Sequence, residues 1–483
     1  MPELLLKLGR EGRKGDIIPT QYVLQKEATD FIPSKFIREQ KARLPQLSEP
    51  EVIRHFNTLS ALNHHVDKGF YPLGSCTMKY NPKINETLSR LTGLVDLHPH
   101  QHEDISQIAL KIMHELSYYL CEISGMSEVS LQPAAGAHGE LAGLKIIRAY
   151  HENMGDARVN ILIPDSAHGT NPASVTITGY NSIQVKSNVS GTIDLDDLKS
   201  KLDEKTAAIM ITNPNTLGIF ETQLKEITSL VHKVGALVYM DGANLNALLG
   251  LVRPGDIGFD VLHFNLHKTF STPHGGGGPG SGPIGISSKL IDYLPIPMIV
   301  KDGDKYSFDY NRPNTIGKIS TFYGNFGVIV KAYIYCRMLG GRGLRRVSEN
   351  AIINANYLMR QLEKHYLLPY KSPSMHEFVL SGENQKANGI KTLDIAKRLL
   401  DFGFHAPTIY FPLIVKEAMM IEPTETESKE TLDRFIDAMI RIAQEVETDP
   451  ETLREAPTTT VVSRLDEVKA VKQPDIKYDF STV

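Results

Sequence analysis

Apolar positions change their period along the chain, and the changes mark out its organisation. Ile105, Ile108, Ala109, Ile112, Met113, Leu116, Tyr119, Leu120 and Ile123 recur at steps of three and one, which predicts an amphipathic helix closed by Gly125. Short apolar runs of strand length follow at 159–163 (VNILI), 207–212 (AAIMIT), 236–241 (ALVYMD) and 261–265 (VLHFN). Helical patterns lie between several of them, at 194–203 and 222–234. Such alternation predicts an α/β fold: a mostly parallel central sheet with helices on both faces. Polar residues follow each strand directly (DSAHGTN, NPNT, DGAN, NLHKT), and in such sheets ligands sit beyond the carboxyl ends of the strands. Helical patterning returns at 326–339 and 348–364, and LDIAKRLLDFGFHAP reads as a helix closed by Gly403. The predicted organisation is an extended N-terminal arm over 1–100, a large domain over 101–328, a smaller α+β domain over 329–455 and an extended tail over 456–483.

Composition narrows the setting. The 483 residues are 41% hydrophobic and 22% charged, ordinary for a globular protein long enough to bury a sizeable core. A net charge of −4 does not favour a nucleic-acid or membrane-surface role. Cys76, Cys121 and Cys336 are an odd, widely spaced set, which fits a reducing compartment rather than a disulfide framework. The N-terminal three-leucine run is too short for a signal-peptide core, and a cytoplasmic protein is expected. No internal repeat or low-complexity tract stands out.

Lys268 follows an apolar strand directly, in NLHKT. A lysine there is either an ordinary surface residue or a Schiff-base lysine activated by desolvation and its neighbours. Asp241 ends the strand VYMD. It either caps the next turn or pairs with a pyridinium nitrogen, which would keep a pyridoxal ring protonated as an electron sink. One crossover between neighbouring strands would bring Asp241 and Lys268 to the same crevice. His168, in PDSAHGTNP, can cover a flat ring, although a lone histidine is more often a satisfied polar residue. The small residues of the run from Gln132 to Glu140 open a helix (ELAGLKIIRAY), where backbone N–H groups can receive a phosphate. The glycine-rich run His274–Pro283 lacks the lysine of a nucleotide P-loop and leads into a strand-like PIGIS, so a P-loop is rejected. A phosphate loop, a stacking histidine, a strand-ending aspartate and then a lysine form the chain order of the aspartate-aminotransferase type of pyridoxal-phosphate (PLP) fold, fold type I.

At this level of detail the chain resembles the glycine cleavage system P-protein family, the decarboxylating glycine dehydrogenases. The stretches that carry the resemblance are HFNLHKTFSTPHGGGGPGSGPIG, YPLGSCTMKYNPKIN, LQPAAGAHGELAGL, IPDSAHGTNPAS, ITNPNTLGIFE, YMDGANLNAL, FYGNFGV, FHAPTIYFPLIV and IEPTETESKETLDRF. Length and motif set resemble the separate second (β) subunit of the two-chain form. The resemblance implies pyridoxal 5'-phosphate as cofactor and glycine as substrate. It also implies a lipoyl-bearing H-protein as acceptor of the aminomethyl group, and a subunit 1 (α) partner in an α2β2 assembly. It makes Lys268 the Schiff-base lysine, Asp241 the pyridine-nitrogen partner, His168 the stacking residue and Ala135, Gly136 and Ala137 phosphate-side donors. Ala243 is expected against the ring, His267 beside the Lys268 linkage and Thr216 facing the cofactor. The glycine-rich loop 275–282 is a candidate wall of the lipoyl channel. His98, His100 and His102 depart from the family pattern and receive no role; no cysteine or carboxylate set accompanies them at ligand spacing, so no metal is expected. The rivals are another enzyme of the same fold (aminotransferase, aldolase or cysteine desulfurase) and a non-catalytic assembly subunit. No small-domain arginine or loop cysteine stands out for the first, and the presence of Lys268, Asp241 and His168 together argues against the second.

Overall fold

A computed structural model describes residues 2–13, 15, 22–40, 42–275, 278, 280–322 and 324–480. The chain divides into two compact units, Val66–Pro457 and a smaller one of Met1–His65 with Thr458–Val483. The smaller unit carries the helix Glu49–Leu62, whose Ser48 and Glu51 form a reciprocal capping box and whose Ile53 and Phe56 are exposed.

Within Val66–Pro457 the central sheet has seven strands: β1 (Glu128–Ser130), β2 (Asn160–Pro164), β3 (Asn181–Val185), β4 (Thr206–Thr212), β5 (Leu237–Gly242), β6 (Val261–Phe264) and β7 (Ile284–Ile286). Their order is β1-β7-β6-β5-β4-β2-β3. The five strands from β6 to β3 run parallel, while β7 is antiparallel to β6 and to β1. All four strands expected from the apolar runs are present. The edge strand β3 (NSIQV) was not anticipated, because most of its residues are exposed or half-exposed and it lacks an apolar run.

Alternate side chains feed two cores, one on each face. Leu162, Ile209, Ile211, Val238, Met240 and Leu262 pack with the helix Glu103–Ser124 and the helix Leu224–Lys233. Ile161, Ile163, Met210, Leu237, Tyr239 and Val261 pack with Ile146 and Ile147 of the helix Gly136–Asn153. A strand covered on both faces reads as a continuous apolar run, which is why these strands were legible in the sequence. Gly125 closes the first helix in the left-handed region (φ 75°), as expected. The register sets Thr212 opposite Asp241 and Asp241 opposite His263, so the polar strand ends share one edge.

A hairpin of β8 (Met298–Asp302) and β9 (Lys305–Asp309) precedes a long helical run, Phe326–Leu362. Gly340 (φ 58°) interrupts it, so the two helices expected at 326–339 and 348–364 are one run broken at a glycine. The C-terminal part is α+β. β10 (Phe378–Ser381), β11 (Thr408–Ile409) and β12 (Ala418–Ile421) form an antiparallel sheet covered by the helices Thr392–Asp401 and Lys429–Thr448.

Residues 66–100 belong to the main unit rather than to an extended arm. The Lys79 side chain, 1% exposed, explains part of this. Its amine donates to Glu425 Oε1, Asn246 Oδ1 and the Thr269 carbonyl, each at 2.8 Å, tying this segment to both domains. Removing one partner of a buried ion pair strands the other charge. Lys79→Met is therefore expected to cost about 3–5 kcal/mol of stability, read by urea unfolding; a loss below about 1 kcal/mol would mean the pair is solvated.

Candidate active site

The site forms where β4, β5 and β6 end. Asp241, 2% exposed, closes β5. Its Oδ2 accepts from Asn171 Nδ2 at 3.0 Å and its Oδ1 from the Ala243 N–H at 2.9 Å. His263 Nε2 lies 3.3 Å from Oδ1, and His263 Nδ1 meets the buried Tyr239 hydroxyl at 2.8 Å. Burial pushes the Asp241 carboxyl up, but His263, Asn171, the Ala243 N–H and the Lys268 charge outweigh it, and the net direction is below the ordinary value. The side chain is thus an anion clamped in a dry setting. Burial of Tyr239 holds its phenol protonated, so it can donate to His263 Nδ1 and leave Nε2–H to face the carboxylate.

Lys268 lies in the short helix Leu266–Thr269 that follows β6, and its amine donates to the Ser75 carbonyl at 2.8 Å. Its charge reaches Asp241, His168 and His267, so the expected lysine, aspartate and histidines share one crevice. His168 sits on the loop after β2, where its Nδ1 accepts from the Thr170 N–H at 3.2 Å and its ring meets Phe411 edge-on at 5.6 Å. Burial lowers its pKa, and that of His267 falls to about 3 for the same leading reason; both imidazoles are neutral at neutral pH. His267 Nδ1 accepts from the Ser281 N–H at 3.2 Å. Ala243, on the turn after Asp241, is buried beside it. Thr216 is buried and donates to the Ser166 carbonyl, bracing the loop that carries His168.

Ala135 is the extended N-cap of the helix Gly136–Asn153, with Ala135 and Ala137 exposed. The first N–H groups of a helix have no intrahelical acceptor. Backbones here are too close for side chains. A Cβ on Gly282 would lie 2.0 Å from the Ala135 carbonyl, and one on Gly136 would lie 2.5 Å from Asn265 Oδ1. Buried Asn265 Nδ2 and Ser281 Oγ have no hydrogen-bond partner among the described residues. Free N–H groups at a helix start beside two orphaned polar atoms fit a phosphate, and the clamped Asp241 fits a ring nitrogen. Gly282→Ala is expected to weaken binding of pyridoxal phosphate about tenfold or more, a shift of about 1.4 kcal/mol, in fluorescence titration. Unchanged affinity would place the phosphate elsewhere. Of the glycine-rich run 275–282, Gly276, Gly277 and Pro279 lie outside the described residues.

The histidine run is spread over structural tasks. His102 Nδ1 accepts from the Asp104 N–H at 3.4 Å at a helix start, while the rings of His98 and His100 meet edge-on at 5.5 Å. The His/carboxylate groups whose ligand atoms converge lie elsewhere, at Glu140–Asp241–His263 and His376–Glu377–Glu422. The sequence reading missed His263, Asn171 and Tyr239, the supports of Asp241, and the Ser75–Thr77 turn opposite Lys268. Their partners lie tens to hundreds of positions away. The one local signal was His263 itself, a polar residue inside an otherwise apolar strand.

The seven-stranded, mostly parallel sheet and the α+β C-terminal part are the architecture of fold type I, the aspartate-aminotransferase type. A solved glycine decarboxylase (P-protein) of the glycine cleavage system, in inhibitor-bound form, superposes with a TM-score of 0.73 at 19% identity, covering 86% of this chain and 94% of that one. A glutamate decarboxylase of Lactobacillus brevis superposes at 0.65 and 15% identity, covering 86% and 97%. Two family descriptions match: glycine cleavage system P-protein over residues 22–306 and glycine dehydrogenase, C-terminal domain, over 347–462. A probable glycine dehydrogenase (decarboxylating) subunit 2 of Chloroherpeton thalassium is 61% identical, covering 98% of this chain and 97% of the relative. One of Chlorobaculum tepidum is 59% identical, covering 98% and 99%. The chain belongs to the glycine cleavage system P-protein family.

Proposed function

We propose that this chain is the pyridoxal-phosphate-binding subunit of a glycine decarboxylase, and that it passes the aminomethyl group to the lipoyl arm of an H-protein. The observation that carries the reading is the clamped Asp241 within reach of the Lys268 charge, with Glu140 of the helix Gly136–Asn153 converging on Asp241 and Gly136 packed against Asn265. Membership of the family supports glycine as the substrate.

Lys268 would hold the cofactor through its amine, His168 and Ala243 would flank the ring, and the start of the helix Gly136–Asn153 would receive the phosphate. When bound, the pyridoxal ring supplies an electron sink for the pair released with carbon dioxide. Asp241 holds a proton on the ring nitrogen, and Asn171 and His263 keep its carboxylate in place. Neutral His267 adds no second positive charge beside the lysine. Burial of these groups excludes water, which strengthens each electrostatic contact. A subunit 1 partner fits the "subunit 2" in the relatives' names, and an α2β2 assembly is part of the same proposal. Free Cys76, Cys121 and Cys336 support a cytoplasmic setting, and no helix among the described residues is long and apolar enough to cross a membrane.

The test is release of labelled carbon dioxide from carboxyl-labelled glycine by the chain with its subunit 1 and a lipoylated H-protein. Release that needs the lipoyl carrier supports the proposal. Transamination of glycine, with no carbon dioxide released, would replace it with an aminotransferase reading.

A further inference from the structure

Opposite Lys268 the small domain buries three ionisable side chains that the function above leaves unused. His376, Glu377 and Glu422 have fully buried side chains. His376 Nε2 lies 3.9 Å from Glu377 Oε1 and 3.8 Å from Glu422 Oε1, and neither ring nitrogen has a hydrogen-bond partner among the described residues. Each carboxylate already holds a turn. Glu377 Oε2 accepts from the Ser75 N–H at 2.7 Å, and Glu422 Oε2 accepts from the Thr77 N–H at 2.8 Å. Ser75 (φ 63°) and Thr77 (φ 46°) sit in the left-handed region, costly for residues with a Cβ, so the two glutamates fix a strained turn whose Ser75 carbonyl receives the Lys268 amine.

We propose that Glu377 and Glu422 hold one proton between them and, with a neutral His376, form a proton reservoir that faces Lys268. Two carboxylates in one dry site cannot both ionise at ordinary pH unless cations compensate them. The cations are few. Lys79 is engaged by Glu425, and Lys268 also serves Asp241. The other titratable groups that feel Lys268 are the Cys76 thiol on the turn, His168, and His267 and His274 beyond the lysine. Burial pushes the Cys76 thiol up and the three imidazoles down, so all four are neutral near pH 7 and none compensates a second carboxylate. The directions within the cluster agree. Burial and then Glu422 push Glu377 well up, burial brings Glu422 to about 7, and His376 falls to about 3. A carboxyl with a raised value keeps its proton below neutrality and releases it above, so the reservoir works around neutral pH.

Its role rests on the functional reading above. Glycine arrives as an ammonium, and the Lys268 nitrogen must gain a proton as it is displaced. The proton leaving the glycine nitrogen passes to the ionised carboxylate of the pair, and the shared proton passes to the Lys268 nitrogen. Two such transfers take the glycine nitrogen from three N–H bonds to one and give the Lys268 nitrogen two; each N–H bond broken is matched by one formed, no electrons change hands, and the pair returns to its starting charge. Because protons pass between the pair and the reacting nitrogens, Glu377 and Glu422 are proton-transferring residues as well as supports of the Ser75–Thr77 turn.

The direct test is infrared difference spectroscopy of the full chain, which does not depend on bound cofactor or activity. The wild type is expected to show a protonated-carboxyl band below neutrality that vanishes at alkaline pH. E377Q and E422Q should each lack it, because the remaining carboxylate ionises. A band common to the wild type and both variants belongs to another buried carboxyl such as Glu427, which burial brings to about 7. A wild-type-minus-variant spectrum with no protonated-carboxyl band would overturn the proposal. So would a stoichiometric divalent metal in the purified chain, which would displace the proton. A charge count on the cofactor-loaded protein is the second measurement, and it guards against variants that disturb the turn. Glutamine mimics a protonated glutamate, so E422Q should leave the pH midpoint of the bound cofactor's visible spectrum within about twofold in proton concentration, while E377Q/E422Q moves it at least tenfold. Two equal steps would mean that both carboxylates are ionised and would overturn it. Failure of the chain to bind cofactor would defeat the functional reading and leave the infrared result standing.

Discussion

Lys268→Ala is expected to abolish the visible absorbance of covalently held cofactor and to lower glycine decarboxylation by roughly 10³–10⁴-fold, the upper range for a positioned proton-transferring group. The side chain is half-buried and its amine is fixed on the Ser75 carbonyl at 2.8 Å, to which no other lysine among the described residues donates. The other nearby lysine, Lys79, is engaged by Glu425, Asn246, the Thr269 carbonyl and the Tyr335 hydroxyl. The proposed phosphate cradle at Ala135–Ala137 and Ser281 is untouched by the change, so cofactor should still bind, more weakly and without the covalent spectrum. A variant that kept wild-type carbon dioxide release would remove Lys268 from its role.

Asp241→Asn is expected to bind cofactor and lose roughly 10²–10³-fold in rate, the cost of one preorganised charge-stabilising group. The substitution is informative because the surroundings can accept it. Asn171 Oδ1 has no partner among the described residues, so a flip of the Asn171 amide lets it accept from the new Nδ2 while the new oxygen keeps the Ala243 N–H. The fold should therefore survive with the hydrogen bonds rearranged and only the negative charge lost. Circular dichroism checks the fold and labelled carbon dioxide release checks the rate. A near-wild-type rate would exclude Asp241 as the ring-nitrogen partner.

The sheet and the residues at its carboxyl edge were legible because both are written locally. β2, β4, β5 and β6 are buried on two faces and read as unbroken apolar runs, and each hands its polar terminus to the same edge. Lys268, Asp241 and His168 sit at such termini and the small residues at 135–137 open a helix, so chain order alone ranked them. The extent of the arm was misjudged because the segment around Lys79 is polar and proline-rich. Its burial is stabilised by one ion pair and three hydrogen bonds to residues 167 to 346 positions away. His376, Glu377 and Glu422 were invisible for the same reason. They are polar residues flanking short strands of the small domain, and only the tertiary fold sets them against the Ser75–Thr77 turn. His98, His100 and His102 show the converse, a conspicuous motif whose members meet one another or cap a helix.

The most direct test is to load the chain with pyridoxal phosphate, reduce it with borohydride, digest it and locate the modified peptide by mass spectrometry. A single pyridoxyl adduct on Lys268, lost in Lys268→Ala and retained in Asp241→Asn, is the predicted result. An adduct on another lysine, or none in a protein that still releases carbon dioxide from glycine, would contradict the account.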